Sequence, residues 1–216
     1  AVGSLHSSIE SFQSIKKLSV ELDKNNISLG LCMSKPDTNL KKFYLDVSKF
    51  KNLIPIASLK NKNNIKQQLI SIKKIGFKFL KVHPRYLNLP VTQNRLFYDS
   101  IFKYNSKSKL KILFFSLNSW VDGPNDVNLI DYLSRISKKY FNQKIVLMHG
   151  GGSELLKYYE VFRFNENITL DLSYTLMHFL DTSVEADIKF LMRKFDKRII
   201  IGSDYPCFNL SKFVKT

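Results

Sequence analysis

Apolar residues along the chain fall into two alternating patterns. Short, nearly continuous apolar runs occur at 27–34 (ISLGLCMS), 52–59 (NLIPIASL), 77–83 (FKFLKVH), 109–117 (KLKILFFSL), 144–149 (KIVLMH), 168–174 (ITLDLSY) and 198–203 (RIIIGS). They are rich in β-branched and aromatic residues, as strands of a parallel sheet covered on both faces are. Between them the apolar positions switch to helical spacing. Residues 8–26 place Ile9, Phe12, Ile15, Leu18 and Leu22 on one face behind Ser8 as N-cap. Residues 63–74 carry Ile65, Leu69 and Ile72 and stop at Gly76. The stretches 38–49, 93–104, 126–140, 153–162 and 184–195 read as helices in the same way.

The strands recur at intervals of about 25 to 35 residues, the rhythm of βα units. Seven strands alternating with helices leave two architectures, an open doubly wound sheet or an eight-stranded barrel with one strand unseen. The expected fold class is α/β, a TIM-barrel-like (β/α)8 domain over residues 1–216. The chain opens on a helix, so the strand expected to be missing, or reduced to the stub Ala1–His6, is the first. The last helix is expected to be incomplete at Leu210–Thr216. A gap in the barrel would expose strand edges and favour self-association, so a homo-oligomer is one expected partner state.

Composition narrows the class. With 216 residues, 44% hydrophobic and 24% charged, the chain suits one globular domain with a sizeable core. No apolar run approaches the ~20 residues that cross a bilayer, and no charged-then-apolar leader opens the sequence. Cys32 and Cys207 are far apart and neither belongs to a CxxC pair, which points away from a disulfide framework and towards a reducing cytoplasm. Thirty-four Lys and Arg against 18 Asp and Glu leave a net charge of +16. The basic residues come as scattered pairs such as Lys16-Lys17, Lys73-Lys74 and Lys138-Lys139, without an RNA-binding signature. The expected partner is therefore a small-molecule substrate, with an anionic one matching the charge, and not nucleic acid or a membrane.

In a parallel barrel, functional groups collect where the strands end. Lys81 and His83 close the third run, His149 closes the fifth before Gly150-Gly151-Gly152, Asp171 and Ser173 lie near the end of the sixth, and Asp204 follows the seventh. Two-residue spacing puts Lys81 and His83 on one face, and Asp171 and Ser173 likewise. Each has a plainer role available: a hydrogen-bonded core histidine, a turn-capping aspartate, a glycine loop opening a helix. Their joint placement favours chemistry, and water activation is what such a set can do. A divalent metal on imidazole and carboxylate lowers the pKa of bound water to ~7. A nearby carboxylate, with Asp204 the natural candidate, can take and return the proton. A lysine can polarise a carbonyl or pair with a carboxylate.

The order GFKFLKVHP, HGGG, LDLSY, IIIGSDYP resembles the amidohydrolase superfamily, closest to its branch of amidohydrolase-related hydrolases, lactonases and decarboxylases. The resemblance runs from about Gly76 to Pro206, and Gly202-Ser203-Asp204-Tyr205-Pro206 is its most specific part. It implies a metal-dependent hydrolase acting on a small polar or anionic substrate, with a divalent metal, zinc first. The metal ligands so implied are His149, Asp204 and His83. Catalytic roles fall to Asp204, His149 and Lys81, and substrate contacts to His83, Ser173 and Trp120, the only tryptophan, in the distinctive loop 118–126. The pattern departs from the family in two places. No His-x-His closes a first strand, His6 being the only histidine before His83, and the fifth-strand histidine position holds Phe115 or Ser116. Neither is a good zinc ligand. A degenerate, non-catalytic barrel serving as a binding protein is the alternative those departures imply.

Overall fold

The computed structural model describes residues 11–117 and 129–215. Along them the chain alternates in the expected rhythm. Helix α1 (Phe12–Lys24) leads to β1 (Gly30–Met33), then α2 (Leu40–Val47), β2 (Leu53–Ser58), α3 (Ile65–Ile75) and β3 (Phe79–Val82). Helices α4 (Pro84–Leu87) and α5 (Arg95–Ser108) precede β4 (Lys111–Phe115), and α6 (Leu129–Lys139) precedes β5 (Ile145–Met148). The rest is α7 (Leu155–Phe162), β6 (Ile168–Asp171), α8 (Thr175–His178), α9 (Ser183–Lys194), β7 (Ile199–Ile200) and α10 (Leu210–Lys215).

Local chemistry sets the boundaries. Ser11 caps α1, its hydroxyl accepting from Ser14 N–H at 3.1 Å, and Asn39 does the same for α2 through Lys42 N–H. Gly76 ends α3 with φ +117°, in the left-handed region, and a Cβ there would run into the Tyr44 ring. Among the described residues no helix is long and apolar enough to cross a membrane.

All seven strands are parallel and pair in sequence order, β1 to β7. One face of the sheet packs on the helices. Cys32, Ala57, Leu80, Val82, Ile112, Phe114, Ile145, Leu147 and Leu170 share a core with Ile15, Leu18, Leu69, Phe102, Ile136, Leu155 and Leu191. The opposite face has its own small cluster, in which Met33, Ile56, Leu113, Val146 and Met148 meet Leu31, Phe79 and Ile200. These residues come from both ends and the middle of the strand order, so one apolar cluster runs along the inner face of the sheet. The sheet curls into a partial (β/α)8 barrel with a packed lumen.

Three differences from the sequence expectation have local causes. Helices α4 and α8 were not expected. They are one-turn segments directly after β3 and β6, too short to show a period, and Pro84 opens the first. The last strand is only two residues long where 198–203 was expected. Its last ladder bond is Leu172 N–H to the Ile200 carbonyl, and the chain then turns through Asp204 at φ +53°. The expectations on Ser8 and Ile9, on the stub Ala1–His6 and on residues 126–128 lie outside the described residues.

Candidate active site

Strand register brings the candidate residues to one level. Phe115 lies beside Met148, Met148 beside Asp171, and Asp171 beside Ile200. The residues that follow these positions form the C-terminal rim of the barrel.

Strand β3 contributes Lys81, which follows Phe79 on the lumen face and is only 3% exposed. Its ammonium stands 4.8 Å from the centre of the Tyr86 ring. Burial pushes its pKa down to about 8 from an ordinary 10.5, while the charge of Asp204 pulls it back up. His83, one pleat further, is held between two rings, Tyr86 at 4.2 Å and Phe115 at 4.0 Å, both stacked. Burial first, and then the charges of Lys81, His149 and Arg85, hold its imidazole well below the ordinary histidine range, so the ring is neutral. Its Nδ1 is buried without a hydrogen-bond partner.

Strand β5 delivers His149. Its Nδ1 lies 2.7 Å from the Ser173 carbonyl, which can only accept, so that nitrogen carries a proton. This hydrogen bond fixes the ring orientation. Of the glycines that follow, Gly151 has its N–H committed inside the protein. Gly151 N–H donates to the Ser116 hydroxyl, which in turn donates to the Met148 carbonyl, while Tyr158 Oη donates to the Ser116 carbonyl. Ser116 is thus a tie between β4, β5 and α7. Gly151 sits at φ +84° with Tyr158 where a Cβ would be, so the turn is shaped by packing.

Strand β6 ends in Asp171, 1% exposed. One of its oxygens accepts from Ser173 N–H and the Ser173 hydroxyl, and the other, Oδ2, has no partner. After β7, Ser203 is buried with an unpartnered hydroxyl. Asp204 is 6% exposed, and burial raises its carboxyl above the ordinary carboxylate range while His149 and Lys81 pull it down. The Tyr205–Pro206 peptide is cis. His149 (φ +66°), Tyr174 (+68°) and Asp204 (+53°) are non-glycine residues in left-handed backbone, all three on this rim. Strained residues of this kind cluster at functional sites.

The structure thus brings Lys81, His149, Asp171 and Asp204 close enough for their charges to act on one another. His83 joins them by its ring. Ser173 is turned inward to Asp171 and supplies the carbonyl that orients His149. Trp120 and the loop 118–126 lie outside the described residues. Three contributors escaped the sequence: Tyr86, Ser203, and Phe115 as a ring touching both His83 and His149 (5.4 Å to the latter). The Gly-Ser-Asp motif contained Ser203 but gave no separate indication of its burial.

The residues do not suit the implied metal. Among the described residues no three His, Cys, Asp or Glu side chains form a group that could hold a metal ion. The expected ligand set His83, His149 and Asp204 is therefore not assembled as one by these residues.

No family model matches the chain, and no curated protein matches it. Solved structures do. A TIM-barrel protein from Bordetella bronchiseptica superposes with a TM-score of 0.77 at 15% identity, over 95% of this chain and 74% of that one. A 4-oxalomesaconate hydratase from Rhodopseudomonas palustris gives 0.64 at 15% identity, over 98% and 77%. A dihydroorotase from Campylobacter jejuni gives 0.63 at 16% identity, over 91% and 66%. Sugar 3-epimerases match as well, at TM-scores of 0.59 and 0.56. Likeness at these identities shows the fold: the chain is a TIM-barrel-type α/β protein.

Proposed function

We propose that the chain is a hydrolase of the amidohydrolase-related kind, acting at the C-terminal rim on a small polar or anionic substrate with a carbonyl at the reacting centre. The observation that carries this reading is that Lys81, Asp204 and an oriented His149 are all buried at the strand ends, near enough for their charges to act on one another. The order of its strand-end motifs and the likeness of its fold to a dihydroorotase support it. In this reading the Lys81 ammonium faces the substrate carbonyl and stabilises the negative charge that develops on its oxygen. The Asp204 carboxylate takes a proton from the attacking water and returns it to the leaving group. His149 orients the water or the substrate through Nε2, its other nitrogen being committed to Ser173. A lactone, an amide or a decarboxylating β-keto acid would each meet this arrangement.

The pH dependence follows from the two shifted groups. Asp204 must be ionised, so activity falls as pH drops through its raised pKa. Lys81 must be protonated, so activity falls as pH rises through about 8. Hydrolysis of carboxylate-bearing amides and lactones should give a bell-shaped rate profile with its basic limb near 8. A rate that keeps climbing with hydroxide to pH 10, as in uncatalysed hydrolysis, would overturn the reading.

One observation favours a second reading, a binding barrel without turnover. Phe115 packs on both histidines where the family resemblance implies a histidine. A protein that binds such carboxylates but leaves every member of the panel intact would establish it.

A further inference from the structure

The opposite end of the barrel carries a second concavity. It lies by the N-terminal ends of β4 and β5, a full strand away from Lys81 and His149, and its volume is about 630 Å³. That is the size of a small-molecule site. Four lysines line it: Lys109 and Lys111 at the entry to β4, Lys139 at the end of α6 and Lys144 just before β5. No Asp or Glu lines it, and none of the four lysines joins an ion pair among the described residues.

The floor beneath them is rigid. Asn105, fully buried, donates to the Leu110 carbonyl and to Gln143 Oε1, both at 2.8 Å, and accepts from Leu110 N–H. Gln143 donates to the Phe102 carbonyl at 2.7 Å and to the Ser106 hydroxyl at 3.1 Å. Tyr140 stacks on Phe102, which fixes the wall. Beside it Phe141 is 67% exposed, a large apolar ring offered to solvent at the edge of a cationic pocket.

Lysines at helix C-termini complement the helix dipole, which accounts for Lys139 and Lys109. It does not account for Lys111, whose ammonium lies 5.3 Å from the centre of the Phe79 ring, or for Lys144, which donates to the Glu166 carbonyl at 3.2 Å, nor for the exposed ring of Phe141. Four like charges around one concavity repel one another unless an anion joins them. An exposed aromatic ring next to such a set is how a nucleobase and its phosphates are received together. We infer that this concavity binds a nucleoside polyphosphate, its phosphates on Lys109, Lys111, Lys139 and Lys144 and its base on Phe141.

Titration calorimetry of the full chain with ATP, inorganic tripolyphosphate and a short single-stranded oligonucleotide tests the inference. ATP should bind at one site per chain, about tenfold more tightly than tripolyphosphate, the difference being the stacked base. The double variant Lys139→Ala/Lys144→Ala should weaken ATP by about tenfold or more. Phe141→Ala should erase the preference for ATP over tripolyphosphate. All three replaced side chains are exposed, and unchanged melting curves would confirm intact folding. Asp204→Asn should leave ATP binding unchanged, which keeps the result separate from that of the catalytic rim. Absence of ATP binding at millimolar concentration, equal affinity for tripolyphosphate, or affinity unaltered in the lysine variant would each overturn the inference. So would an oligonucleotide that ATP cannot displace, since that would identify a nucleic-acid surface.

Discussion

At the scale of single residues, Lys81 concentrates both the chemistry and its cost. An ammonium buried in the lumen is held there against its solvation, and the drop from 10.5 to about 8 corresponds to roughly 3 kcal/mol of lost stability. The sign is definite. Below pH 8 the lysine is protonated in both folded and unfolded chains, and the burial cost is fully present. Between about 8 and 10.5 the unfolded chain holds a proton that the folded one lacks, so folding gains stability as pH rises. Lys81→Met should therefore raise the urea midpoint at pH 7, and its advantage over the natural chain should shrink steadily towards pH 10.5. An advantage that grows with pH would show that the lysine is not buried as described. That Lys81 and His83, and likewise Asp171 and Ser173, end their strands as buried polar pairs was legible in the sequence, because two-residue spacing at the end of an apolar run puts both side chains on one face. The stacking of His83 between Tyr86 and Phe115 was not. It joins β3, α4 and β4, and no pattern within one segment carries it.

At the scale of elements, the rim is made by the turns that end the strands. The Gly150–Gly152 turn read in the sequence as a glycine loop opening a helix. In the structure the Gly151 N–H donates to Ser116, and Tyr158 fills the space beside it. Gly151→Ala would meet that ring at φ +84° and should cost roughly 2–5 kcal/mol, combining backbone strain and overpacking. The measurement is the urea midpoint, and a change under about 0.5 kcal/mol, the range of an ordinary surface substitution, would refute the packing argument. The long helices and strands were legible because each repeats its period several times, as Ile65, Leu69 and Ile72 do in α3. The one-turn helices α4 and α8 and the early end of β7 were not, since their length is set by what the rim packs against.

At the scale of the whole molecule, the curled parallel sheet separates two environments. Its C-terminal rim gathers buried, strained and unpartnered polar groups around Lys81 and Asp204. Its N-terminal end gathers exposed lysines around a rigid amide floor. The net charge of +16 looked unstructured along the sequence, because lysines distant in the chain meet only when β4, β5 and α6 are side by side. The barrel architecture was legible from the βα rhythm. The metal ligand set was not, since motif order states which residues end the strands and not whether their side chains converge. The central claim is that the rim is a working active centre with Asp204 as its base. Its most direct test is the rate of hydrolysis of carboxylate-bearing amides and lactones by the natural chain and by Asp204→Asn, whose carboxamide keeps the shape and cannot take the proton. The account predicts turnover by the natural chain and a loss of about 10²–10⁴-fold in the variant with its melting curve intact. Equal rates in the two proteins would contradict it.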